Sequence, residues 1–136
     1  MNRISAAIVV GLIAFVAGCG GGGTDPDEFA EQVKSAMKPV EQSATSDPDP
    51  AKIAKFADAL DESADRLKAL EPPDGSQDEL DATVTAIQRG ADRFREASDA
   101  LKSNDPEALT KVGKDLGASM TEISKAGQAL EDSVKN

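Results

Sequence analysis

The amino-acid sequence predicts an all-α protein, an antiparallel up-down four-helix bundle behind a cleaved leader and a Gly-rich tether. Three observations carry this expectation. Apolar residues recur three and four positions apart through most of residues 25–135, the rhythm of one buried helix face. Asp-Pro steps at Asp25-Pro26, Asp49-Pro50 and Asp105-Pro106, with Pro72-Pro73 and Asp74-Gly75 between them, cut that rhythm into four segments. No run of β-branched residues alternates with period two, so no sheet is expected.

The first helix is expected over residues 25–45. Asp25, Pro26 and Glu28 take the N-cap, N1 and N3 positions, and an acidic first turn suits the positive end of the helix dipole. Phe29, Val33, Ala36, Met37, Val40 and Ala44 form its stripe. Pro39 falls inside that stripe, where it removes a backbone donor and crowds the preceding turn, so a kink near Lys38 is expected. The second helix, about 50–71, carries Ile53, Phe56, Leu60, Leu67 and Leu70, with Glu62 and Arg66 paired one turn apart on the opposite face.

Ser76-Gln77-Asp78-Glu79 has the pattern of a capping box and opens the third helix, about 76–103. Its stripe runs Leu80, Val84, Ile87, Ala91, Phe94, Ala97 and Leu101. The fourth helix, about 105–135, is the most regular: Leu109, Val112, Leu116, Met120, Ile123, Leu130 and Val134 keep a near-heptad spacing. Helices of roughly 20 to 30 residues are about 30 to 45 Å long. Up-down connection then places the tether, the Pro72-Pro73 turn and the C-terminus at one end. Asp47, Asp49, Asp105 and Glu107 gather as an acidic tip at the other, with Phe56 and Phe94 meeting in one layer near it.

Fifteen basic against 25 acidic residues give a net charge of −10, and loss of Arg3 with the leader takes this to −11. Such a body repels nucleic-acid phosphates, so no nucleic-acid partner is expected. It is also held off an anionic bilayer. Histidine, tryptophan and tyrosine are absent, and Cys19 is the only cysteine. Without His there is no Ser–His nucleophile and no Glu-x-x-His di-metal pair, and a zinc site lacks its ligands.

Met37 and Met120 lie on core stripes, where a thioether fills gaps. For a hard cation, Asp47 with Asp49, or Asp74 with Asp78, supply oxygens, but neither stretch has the EF-hand spacing, and turn and cap roles account for each. No cofactor or metal is therefore expected. Gly113 and Gly117, four apart in the last helix, are expected where a neighbouring helix comes close. A groove, or a partner-binding face, is the alternative.

The N-terminus is read last because it says where the protein works. Arg3 precedes a short apolar run, Ala6 to Phe15 without a charged residue, that falls below the about 20 residues a membrane span needs. It ends in Val16-Ala17-Gly18-Cys19, followed by Gly20-Gly21-Gly22-Gly23. The four residues 16–19 resemble the lipobox of bacterial lipoproteins, with Val16 where family examples usually carry Leu. The resemblance implies that residues 1–18 are removed and that Cys19 receives a diacylglyceryl group and becomes the mature N-terminus. Two acyl chains anchor stably where one holds only marginally.

The rest, with its Leu70-Glu71-Pro72-Pro73 turn, is loosely similar to small all-helical lipoproteins of Gram-positive bacteria, which implies no activity and no site residues. The expectation is a lipid-anchored protein on the extracytoplasmic face of the cell membrane, with residues 19–24 as tether and 25–136 as a non-catalytic binding or scaffolding bundle. Its partners would be the membrane, through Cys19, and an envelope protein. The alternative is a carrier holding a small apolar ligand among Phe29, Met37, Phe56, Phe94 and Met120.

Overall fold

Each Asp-Pro step starts a helix by the same local chemistry. The Asp25 carboxylate accepts from the Asp27 amide at 2.9 Å. Asp49 accepts from Ala51 and Lys52 at 2.8 and 3.3 Å, and Asp105 from Glu107 and Ala108 at 2.9 and 3.2 Å. These bonds satisfy first-turn amides that have no partner inside the helix, and proline follows where no amide hydrogen is needed. The computed structural model describes residues 24–44, 47 and 49–136. It contains α1 (Pro26–Ala36), α2 (Lys38–Ser43), α3 (Pro50–Lys68), α4 (Gln77–Ser103) and α5 (Pro106–Lys135), with no strand among the described residues.

The five helices make four rods, so the all-α bundle expected from the sequence is what forms. The expected kink at Pro39 is a break. α1 ends at Ala36, Met37 takes φ −84° and ψ −6°, and α2 resumes at Lys38. The Met37 carbonyl accepts from both Val40 and Glu41, restarting the ladder beyond the proline. Also, α3 stops at Lys68, short of residue 71, because Pro72 forces extended backbone on Glu71. Its last turn tightens instead, with Ala69 and Leu70 donating three residues back to Arg66 and Leu67.

The capping box expected at Ser76 and Glu79 does not form. The Ser76 amide donates to the Pro73 carbonyl at 3.1 Å, and its buried hydroxyl makes no cap bond. The tight turn after Pro73 has claimed the amide that Glu79 would have bonded. At the other end of α4, Asn104 stops the helix in the left-handed region at φ 53°, a conformation its short amide side chain tolerates.

The end where α1 begins is called the base here, and the opposite end the tip. Packing differs sharply between them. At the base, Phe29, Leu67, Leu80 and Ile87 are sealed, and Leu130 and Val134 of α5 close over them. Toward the tip, Met37, Val40, Ile53, Phe94 and Leu101 are only half-buried. α3 and α4 form the tightest pair, α5 packs along α4, and α2 leans on α3.

Candidate functional site

At the tip, the acidic residues are committed to local work. Asp47 meets Lys52 at 2.5 Å, and this hydrogen bond and the ammonium charge hold its carboxyl below the usual value of 3.8. Asp49 and Asp105 spend a carboxylate oxygen on their own helix starts. Glu107 sits exposed in the first turn of α5. Among the described residues no three His, Cys, Asp or Glu side chains come together as a metal would need.

Phe56 and Phe94 do share a layer. Their rings meet edge to face, 4.8 Å apart at 72°, the geometry that the ring quadrupoles favour. Around them α4 is pinned to α3: Arg95 reaches Asp58 at 3.1 Å and also Asp61, and the Ser98 hydroxyl donates to the Pro50 carbonyl at 2.8 Å. The hydrogen bonds to Asp61 and then Asp58 hold the Arg95 guanidinium above its ordinary value. The expected pair of Glu62 and Arg66 forms at 2.5 Å.

The five residues proposed for an apolar cavity do not surround a common space. Phe29 is fully enclosed in the base, Phe56 and Phe94 lie against each other, and Met120 is 37 % exposed. Met120 therefore leaves the core face on which its spacing put it.

The glycines correct a second expectation. A Cβ built at Gly113 or Gly117 would meet no atom within 4 Å, so neither allows a close approach inside the bundle. Gly90 does that instead: a Cβ there would lie 2.8 Å from the Ile123 Cδ1 atom, at the crossing of α4 and α5. Only its place between Ile87 and Ala91 on the stripe of α4 hinted at this. Nearby, Arg89 bonds Glu122 at 2.9 Å across a shallow groove of about 550 Å³ floored by Ala82, Ala86 and Ala126.

One flank of α5 is left over. Leu109, Gly113, Leu116, Gly117, Met120 and Ser124 recur three and four apart, so they share one side of the helix. That side carries no charge from Leu109 until Glu131. Gly113, Gly117, Met120 and Ser124 are exposed, and Leu109 and Leu116 are half-buried. The side facing α4 is different, with Asp115, Ser119 and Glu122 lining a polar groove beside Arg89 and Arg93.

Cys19 and the rest of residues 16–19 lie outside the described residues. No described helix is long and apolar enough to cross a membrane. Comparison with family models, curated proteins and solved structures finds no match to this chain.

Proposed function

We propose that the protein is a lipid-anchored lipoprotein on the extracytoplasmic face of the cell membrane, whose acidic bundle acts by binding or scaffolding an envelope partner and not by catalysis. The observation that carries this reading is Val16-Ala17-Gly18-Cys19 at the end of a short apolar run, with the chain's single cysteine at the acylated position and glycines directly after it. Two further observations support it. The chain has no histidine, and Cys19 is spoken for once acylated, so neither an imidazole base nor a free thiol is at hand. The tip aspartates are engaged in caps and an ion pair, which leaves them no arrangement suited to acid–base work.

The test is intact mass of the protein from the membrane fraction, beside a Cys19→Ala variant. The expected mass is that of residues 19–136 plus a diacylglyceryl group, absent from the variant. An uncleaved chain, or a cleaved one without lipid, overturns the anchor.

A second reading, a carrier for a small apolar ligand, is favoured by the half-buried Met37, Val40, Ile53, Phe94 and Leu101 toward the tip. Saturable one-to-one uptake of a fluorescent fatty acid by the full chain is its expected result. Absence of uptake excludes that ligand class.

A further inference from the structure

We propose that the first rod, α1 with α2, is a detachable strap, which leaves the bundle as one unit while α3, α4 and α5 stay folded and so turns residues 24–49 into a leash. What holds this rod differs in kind from what holds the others. Arg95 ties α4 to Asp58 and Asp61 of α3, Ser98 ties it to the Pro50 carbonyl, and Arg89 ties it to Glu122 of α5. Among the described residues, no hydrogen bond or ion pair joins residues 26–43 to another helix. Phe29, Val33, Ala36 and Pro39 are buried, so the rod is held by apolar contact alone, which has no direction and no lock.

The seat beneath the rod is imperfect. α3 packs along α4 and along the first rod, and Asp58 and Asp61 mark its α4 side. Ser63 comes two residues after Asp61, about 160° round the helix at about 100° per residue, so it belongs to the side that the first rod covers. Its hydroxyl is sealed there without a partner, and lifting the rod gives it water. The rod is also jointed. Its break at Met37 leaves pieces of 11 and 6 residues, both below the about 12–15 that an isolated helix needs in water, so a lifted rod melts. Residues 24–49, once melted, reach up to about 90 Å at about 3.5 Å per residue. The opening does not depend on acylation of Cys19; use of the leash to carry α3, α4 and α5 farther from a membrane rests on that reading.

Amide hydrogen exchange over the full chain, in a Cys19→Ser background, separates a strap from ordinary unfolding. The amides of residues 29–36 and 40–43 are expected to exchange together, at least about tenfold faster than those of 80–91. Gly90→Val, overpacked where α4 crosses α5, should speed exchange in 80–91 by about tenfold and leave 29–43 unchanged, because the open form suffers as much as the closed one. Ser98→Ala, which loosens α4 from α3, should show the same split more weakly and stands in if Gly90→Val does not fold. Ser63→Ala should slow exchange in 29–43 severalfold, since closing then strands no hydroxyl. Phe29→Asp should hold the strap open, with the loss of helical signal confined to the share of α1 and α2.

Exchange in 29–43 as slow as in 80–91 overturns the proposal, and so does exchange there that Gly90→Val or Ser98→Ala speeds as much as it speeds 80–91. Unfolding of the whole chain by Phe29→Asp overturns it too. None of these results bears on the anchor, which intact mass reads separately.

Discussion

Two buried serines make opposite cases. Ser98 is 1 % exposed and gives its hydroxyl to the Pro50 carbonyl, while Ser63, also sealed, has no partner for its Oγ. A buried hydroxyl without a bond carries an uncompensated desolvation cost. Ser63→Ala is therefore expected to raise stability by up to about 1 kcal/mol, and Ser98→Ala to lower it by about the same, in urea unfolding. The glycines divide likewise. Gly113→Ala and Gly117→Ala, measured at high dilution, should each add about 0.5–1 kcal/mol, since alanine is the better helix former and space is free. Gly90→Val should cost roughly 1–3 kcal/mol by overpacking against Ile123. Caps at Asp25, Asp49 and Asp105 were legible in the sequence because a cap is settled within four residues. Which glycine sits at a helix crossing was not, because the answer for Gly90 lies 33 positions away at Ile123. The Ser76 box misled for a related reason: Pro73, just outside the motif, took the amide the motif needed.

Helices differ in how much of their stripe is covered. In α4 the stripe residues Leu80, Val84, Ile87 and Ala91 are buried, whereas in α5 only Ser119, Leu130 and Val134 are. The spacing in α5 is as regular as in α4, so periodicity located its apolar side without saying whether anything would cover it. The physical cause lies in the first rod. Pro39 breaks it at Met37, and the short α2 leans on α3, so the apolar side of α5 toward the tip stays half-exposed. Amide hydrogen exchange measured at high dilution should follow this pattern. The amides of residues 80–91 are expected to be the slowest, and those of 107–118 among the fastest outside the turns.

As a whole, the molecule balances a large negative charge against weakly stabilising ion pairs, all at least partly exposed. Acidification probes one of them cleanly. Lys52 keeps the Asp47 carboxyl below its ordinary value, so the small stabilisation from that pair is present above the unfolded-state pKa and fades as pH falls through the lowered folded-state value. NMR titration is expected to show Asp47 protonating below 3.8, and Lys52→Met should return it to the usual range. The fold class could be read from the sequence because the binary pattern agrees with the Asp caps at three of the four rods. The uneven packing between base and tip could not, since it depends on how rods lean on one another.

The start of α1 and the end of α5 belong to one apolar cluster, Phe29 and Val33 with Leu130 and Val134. A fusion at residue 136 would thus crowd the same end as residue 24 and leave the tip clear.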